Sequence, residues 1–212
     1  MQPIETIIYK GYSIEIYQDE SADDPRNWGN LATFAAFHRR YKIGDSHRFE
    51  DIAALKDYLK RNAAIYLPVY MYDHSGVCLN TTGFSCAWDS GQVGYIYALK
   101  EDIKKEFGVK RISRKLKTRV LDILRGEIET YDQYMCGDVY GYRIKNKDGE
   151  VVDSCWGFYG DDHEKSDLIH QAKSQINWCV REQIKTHINQ VKTWIKNRVP
   201  LHYRIPLQIA NY

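Results

Sequence analysis

Between Tyr66 and Tyr97 the chain reads YLPVYMYDHSGVCLNTTGFSCAWDSGQVGYIY, two strand-like runs around residues that a hydrophobic core does not require. Asp73, His74, Ser75 and Gly76 form one polar group; Trp88, Asp89, Ser90, Gly91 and Gln92 form a second. Turns need Gly, Asn or Asp at one or two positions. The additional carboxylates, imidazole, hydroxyl and indole therefore mark these stretches as places for a site. An Asp–His pair in a cleft can perform acid/base work or hold a metal. Successive strand side chains point to opposite faces, so Asp73, His74 and Ser75 cannot make a triad by themselves. The workable arrangement sets Asp73 or His74 against Asp89 and Ser90, brought together by the sheet. The plainer alternative is an Asx-type turn in which Asp73 and Ser75 bond local backbone. As a binding surface, Trp88 would stack on a ring or base, Gln92 would hydrogen-bond, and Gly91 and Gly94 would allow close approach.

Other chemistry-bearing strings are weaker. Asp89-Ser90-Gly91 matches the D-S/T-G tripeptide of aspartic proteases, but Ala87-Trp88 precede it and Gln92-Val93 follow it, and there is no second copy. A protease would need a symmetric dimer to supply two carboxylates. In VVDSCWGFYGDD, strand alternation puts Asp153, Cys155 and Gly157 on one face and Ser154, Trp156 and Phe158 on the other. Trp156 and Phe158 are expected in the core, and Asp153 is a possible third carboxylate beside Asp73 and Asp89 for Mg²⁺. Zinc is poorly supported, because His74, Cys78 and Cys86 have no paired CxxC or HxxxH partner. No P-loop, dinucleotide fingerprint or GxSxG elbow occurs. No metal and no cofactor is expected.

These residues need elements to position them. Thr6–Tyr9 and Tyr12–Tyr17 alternate around Lys10-Gly11 and read as a hairpin. Gln18–Asn30 is a polar loop, Leu31–His38 a third strand, and Arg39–His47 a connection. Phe49–Asn62 has Ile52, Leu55, Tyr58 and Leu59 at helical spacing. Ile65–Tyr72 and Val77–Thr82 form a hairpin with the Asp73–Gly76 turn at its tip, and Val93–Leu99 is a further strand. Glu101–Phe107 is a short helix. Ser113–Met135 is a long one, with Leu116, Val120, Leu124, Ile128, Tyr131 and Met135 on one face. Val139–Lys145 and Glu150–Tyr159 flank Asn146-Lys147-Asp148-Gly149, a strong hairpin signal. A periodic helix from Lys165 to Arg198 would be about 50 Å long; it should bend, break or leave the body of the protein. The expected class is α+β, a mainly antiparallel sheet with helices packed on one face and a long C-terminal helix. The expected division is a core domain over 1–162 and a C-terminal helical extension and tail over 163–212.

With 212 residues, 43% apolar and 27% charged, the chain can bury a core and is not mainly disordered. A net charge of +2 is too small to imply a nucleic-acid partner, but the basic residues are grouped. Lys110–Arg119 reads KRISRKLKTR, so Arg111, Arg114 and Lys115 could track a phosphate backbone; the alternative is a solvated helix face. The five cysteines are odd in number and widely spaced, which is not a disulfide framework. No signal peptide or membrane-length apolar run is visible. The expectation is a cytoplasmic protein with reduced thiols and no membrane partner.

The strings LPVYMYDHSG, FSCAWDSGQVGYIY, EIETYDQYMCGDVYGY and VVDSCWGFYGDD, together with DDPRNWGNLATF, resemble a family of uncharacterised bacteriophage and mobile-element proteins. The resemblance carries no established activity. It implies a context in which small accessory proteins blunt host defence. On that footing the leading expectation is a non-catalytic anti-defence protein, anti-CRISPR or anti-restriction, that occupies a host defence protein or a nucleic acid–protein complex. Its contact residues would be Asp73, His74, Trp88, Asp89, Ser90, Gln92, Arg111, Arg114 and Lys115. The alternative is a nucleotide sponge, or a metal-assisted nucleotide or phosphoester hydrolase, in which Trp88 and Trp156 stack and Asp73, His74 and Asp89 supply the chemistry. Two further expectations are nucleic-acid contact through the basic helices and a homodimer through the C-terminal helix.

Overall fold

The computed structural model describes residues 2–62, 64–74, 76–86, 88–198, 200 and 203. Ser75, which the sequence assigned to the 73–76 turn, and most of the C-terminal tail lie outside the described residues. Among the described residues the chain is α+β, with eight antiparallel strands in two sheets and four α-helices. The strands are β1 (Glu5–Tyr9), β2 (Tyr12–Gln18), β3 (Thr33–Ala36), β4 (Ile65–Asp73), β5 (Val77–Asn80), β6 (Ser90–Ala98), β7 (Val139–Lys145) and β8 (Val151–Tyr159). The helices are α1 (Ile52–Arg61), α2 (Lys100–Glu106), α3 (Arg114–Cys136) and α4 (Leu168–Arg198). One sheet has the order β1-β2-β7-β8 and the other β3-β6-β4-β5. No helix among the described residues is long and apolar enough to cross a membrane.

The chain divides into two compact units. One gathers residues 1–17, 142–155 and 167–212; the other gathers 18–141 and 156–166. In the first, Lys10 (φ 50°) and Gly11 (φ 79°) both take the left-handed conformation of a two-residue turn, which matches the twist of the β1–β2 hairpin. The β7–β8 turn closes as its sequence demands: Asn146 Oδ1 accepts from Asp148 N and Glu150 N, both at 3.0 Å. Tyr12, Ile14 and Ile16 alternate inward along β2 and are buried. The first half of α4 lies over this sheet, with Gln183 Nε2 donating to Tyr12 Oη at 2.8 Å and Tyr9 Oη donating to Asn177 at 3.2 Å. The helix runs unbroken for 31 residues, about 46 Å. Its buried residues, Leu168, Ile169, Ala172 and Ile176, all fall in its first third.

The second unit is built on the β3-β6-β4-β5 sheet. Strand β6 has apolar residues on both alternations, so it needs cover on both sides. Ile96, with Phe34, Val69 and Leu79, packs on Val120, Leu124, Ile128 and Tyr131 of α3. Tyr95 and Tyr97, with Ala35, pack against Leu55 and Leu59 of α1. Helices therefore cover both faces of this sheet. The Asp51 carboxylate caps α1 by accepting from Ala54 N at 2.7 Å, and Ser113 caps α3 through Leu116 N at 3.1 Å. Trp156, expected in the core beside Phe158, is instead exposed while Phe158 is buried. Gly157, at φ 83°, interrupts the extended backbone between them, so the simple alternation does not hold.

The entry into β3 is fixed by one guanidinium. Arg26 is only 5% exposed and sits in a 3-10 turn over Pro25–Asn27. Its Nε and one terminal nitrogen make a bidentate pair with Asp45 at 3.0 and 2.6 Å. It also donates to Glu127 of α3 at 3.0 Å and to the Ala32 carbonyl at 2.7 Å. Glu127 accepts in turn from Leu31 N and Ala32 N, and Asp45 accepts from Phe34 N. Close by, β3 crosses β6 so tightly that a Cβ added at Gly94 would stand 2.0 Å from the Ala35 carbonyl oxygen.

Gly94→Ala should cost about 3 kcal/mol or more, because a backbone atom must move. Gly126→Ala, within α3 and with nothing inside 4 Å of the added carbon, should instead gain about 1 kcal/mol. Urea midpoints of the two variants that moved together would refute the account. Arg26→Met should destabilise by about 3–5 kcal/mol, since it strands two carboxylates. A double-mutant cycle with Asp45→Asn should show a coupling above about 0.5 kcal/mol, and additivity would mean the pair is not what holds the loop.

Candidate functional site

The β4–β5 hairpin carries the Asp73–Gly76 turn, and the loop from β5 to β6 folds back on it. Asn80 ends β5 by accepting from Thr82 N at 3.1 Å and Gly83 N at 2.7 Å, an Asx arrangement that reverses the chain. The returning loop docks beside the turn, where Asp73 N donates to Asp89 O at 2.9 Å. Strand pairing between β4 and β6 then slips by one residue: Val69 faces Gly94 but Tyr70 faces Gln92, so Val93 is the extra residue of a β-bulge. The Val93 carbonyl accepts from Phe37 N at 2.7 Å, which draws the 37–41 segment alongside. The result is an open groove of about 620 Å³. His38, Arg39, Arg40, Met71, Asp73 and the run from Trp88 to Val93 line it, with Phe37.

The structure therefore brings Asp73, Trp88, Asp89, Ser90 and Gln92 together, with His74 beside them on the turn. Each has a definite state. The Asp73 carboxylate accepts from Arg40 at 2.5 Å and from the Tyr41 hydroxyl at 3.3 Å, so it serves a cross-loop ion pair and not the local backbone turn. His74 Nδ1 lies 3.5 Å from Asp89 Oδ2, with the imidazole 65% exposed. The Ser90 hydroxyl donates to the Cys86 carbonyl, and Gln92 Nε2 donates to Gly94 O at 3.1 Å along its own strand. Ser90 thus spends its one hydroxyl proton within its own loop, and Gln92 one of its two amide protons along its own strand. Trp88 is 97% exposed. Asp73, His74 and Asp89 do not form a ligand cluster among the described residues, and Asp153 belongs to the other compact unit.

Two lining residues, Arg39 and Arg40, fall where the sequence suggested only a polar connection, and a third, His38, was read as the end of a strand that stops at Ala36. His38 Nδ1 accepts from Arg40 N at 3.3 Å and from Tyr41 N at 3.1 Å, which puts the ring proton on Nε2 and makes the segment a tight capped turn. Its ring stacks on Tyr41 with centroids 5.1 Å apart. The signal available in the sequence was the H-R-R-Y string itself. Arg111, Arg114 and Lys115 are exposed but do not line the groove. Arg111 lies just before α3 and Arg114 and Lys115 in its first turn; the other end of the helix meets the hairpin at Val77 through Cys136. The two ends are about 33 Å apart along the helix axis.

That far end of α3 forms a second cluster. Cys136 Sγ lies 3.7 Å from Cys78 Sγ of β5 and 3.8 Å from Asp132 Oδ1. Asp132 Oδ1 also accepts from Leu79 N at 2.5 Å. Burial raises the Asp132 carboxyl above its ordinary value. Burial, and then the neighbouring Asp132 charge, push the Cys136 thiol up to about 12. Sequence reasoning grouped Cys78 with His74 and Cys86; in the fold its neighbours are Asp132 and Cys136, whose four-residue spacing on a helix was the only local sign.

No family model, curated protein or solved structure matches this chain.

Proposed function

We propose that this protein acts by binding and not by turnover, and that the groove beneath Trp88 is the contact surface for a macromolecular partner. The observation that carries this reading is the fully exposed indole of Trp88 on a groove whose acidic groups already have partners, Asp73 with Arg40 and Asp89 with His74. Trp, Tyr and Arg dominate the energetics of protein contacts, and Trp88, Arg39 and Tyr41 stand close together at this groove and its wall. The resemblance to phage and mobile-element proteins sets the partner class: a host defence protein or a nucleic acid–protein complex. Arg111, Arg114 and Lys115 would meet the phosphate backbone of such a complex from a separate face.

The expected result is that Trp88→Ala abolishes retention of the host defence component from host lysate. The same change should move the stability of the protein by less than about 0.5 kcal/mol, as expected of an exposed side chain. Retention unaffected by both Trp88→Ala and Arg39→Ala would overturn the reading. The 3.5 Å approach of His74 to Asp89 favours a second reading, a nucleotide-binding or hydrolytic site using Asp73, His74 and Asp89. Turnover of a nucleotide or phosphoester that disappears in Asp89→Asn would establish that reading in place of the first.

We also infer that a second copy covers the outer half of α4. Ile184, Ile188, Val191 and Ile195 recur at spacings of four, three and four, the alternation of a coiled-coil seam, and the first three are exposed. In a parallel pair Lys185 and Lys192 would face Val180 and His187 of the other helix, whereas an antiparallel pair would set lysine against lysine. Sedimentation equilibrium should find a dimer that Ile188→Glu converts to a monomer. A wild-type chain that is monomeric at high micromolar concentration would remove the inference.

A further inference from the structure

Two thiols and a carboxylate converge at the junction of β5 and the last turn of α3, with their ligand atoms all within 4.8 Å of one another. We propose that Cys78, Asp132 and Cys136 form a binding site for a thiophilic divalent cation, Zn²⁺ being the ion whose geometry they fit. Tetrahedral zinc, with bonds of about 2.3 Å to sulfur and about 2.0 Å to oxygen, requires sulfurs about 3.8 Å apart and sulfur–oxygen edges of about 3.5 Å. The structure has 3.7 Å between the two sulfurs and 3.8 Å between Cys136 Sγ and Asp132 Oδ1. These two of the three donor edges stand at the spacing of a coordination shell before any ion is added.

The local architecture explains how they come to be there. Asp132 and Cys136 are four residues apart on α3 and so project side by side from one helical face. Cys78 enters from the paired strand, and the neighbouring Leu79 N–H holds the Asp132 carboxylate in orientation, the role that outer-shell hydrogen bonds play around metal ligands. Asp132 is half-buried, and among the described residues no Lys, Arg or His pairs with it. Two sulfur donors out of three select a soft or borderline ion over Mg²⁺ or Ca²⁺, which take oxygen. Cys136 is exposed, so the fourth position opens to solvent and would take a water or an exogenous ligand.

Binding changes no oxidation state. The two thiols lose their protons to solvent, the carboxylate binds ionised, and a divalent ion with these three ligands carries a net charge of −1. The ion would tie the start of β5 to the end of α3, immediately behind the turn that bears His74.

The full-length protein, reduced and purified without a polyhistidine tag or chelator, should contain stoichiometric zinc by elemental mass spectrometry. After zinc removal, Co²⁺ titration should produce a thiolate-to-metal charge-transfer band. Cys78→Ser and Cys136→Ser should each abolish that band. Asp132→Asn, which keeps an acceptor for Leu79 N–H, should weaken Co²⁺ affinity at least about tenfold, while Cys86→Ser should leave it unchanged. The proposal falls if reduced protein gives no charge-transfer band, or if the band survives in Cys78→Ser. It falls equally if peptide mapping finds a Cys78–Cys136 disulfide and the reduced chain takes up no metal. None of these outcomes bears on the groove under Trp88.

Discussion

The unit that carries the groove depends on the burial of one positive charge. Arg26 sits in a region where desolvation works to remove its proton, and its hydrogen bonds to the Asp45 and Glu127 carboxylates overcome that and keep it charged. Burying ions costs several kcal/mol apiece, so such a cluster adds less to net stability than its short distances suggest. Its effect is to select one arrangement. The carboxylates that neutralise Arg26 also accept the backbone N–H groups of Leu31 and Ala32, just ahead of β3, and of Phe34 within it. Removing the guanidinium would leave the Pro25–Asn27 turn, the loop at Asp45 and the middle of α3 without their common tie. The wall of the groove, His38 to Arg40, hangs between two of these anchored points.

Beyond that anchor, β6 sets the geometry. It has a neighbouring strand on each side and packs against both helical layers, through Ile96 towards α3 and through Tyr95 and Tyr97 towards α1. A strand so constrained cannot shift register as a whole. The extra residue at Val93 therefore relieves the mismatch locally, and bulges increase local twist. The residues before the bulge, Ser90 to Gln92, are turned relative to those after it. The groove opens there because β3 pairs with β6 only as far as Gly94, while β4 stays paired with it on to Ser90.

Much of this was legible in the sequence, and the pattern of what was not is physical. Turns whose chemistry is local read correctly: Lys10-Gly11 and Asn146–Gly149 need left-handed residues and have them. The buried face of α3 read correctly because Val120, Leu124, Ile128 and Tyr131 repeat at helical spacing against a single layer. The approach of the Asp73 turn to Asp89 was read as something the sheet would bring about, and the pairing of β4 with β6 supplies it. Arg26 looked like one more charge in a polar loop because its partners lie 19 and 101 residues away. The meeting of Cys78 with Asp132 and Cys136 was hidden for the same reason, its separations being 54 and 58 positions along the chain. Trp156 was misplaced because one glycine with positive φ resets an alternation that the rest of β8 obeys.

The pairing of charges in the groove also decides what kind of recognition it suits. Arg40 is drawn onto Asp73 at 2.5 Å, and Arg39 and Asp89 bring opposite charges to the same lining, so its net formal charge is small. Long-range steering, which gives charged clefts their fast association, would be weak at this surface. Affinity would have to come from area, and one side chain supplies most of it. A fully exposed indole that becomes buried removes on the order of 200 Å² from water. At about 25 cal/mol/Å² that is about 5 kcal/mol before the costs of association. Few single residues at an interface contribute on that scale, and those that do sit near the centre of the contact with weaker groups around them. Trp88, with Arg39 and the His38–Tyr41 stack beside the groove, has that disposition.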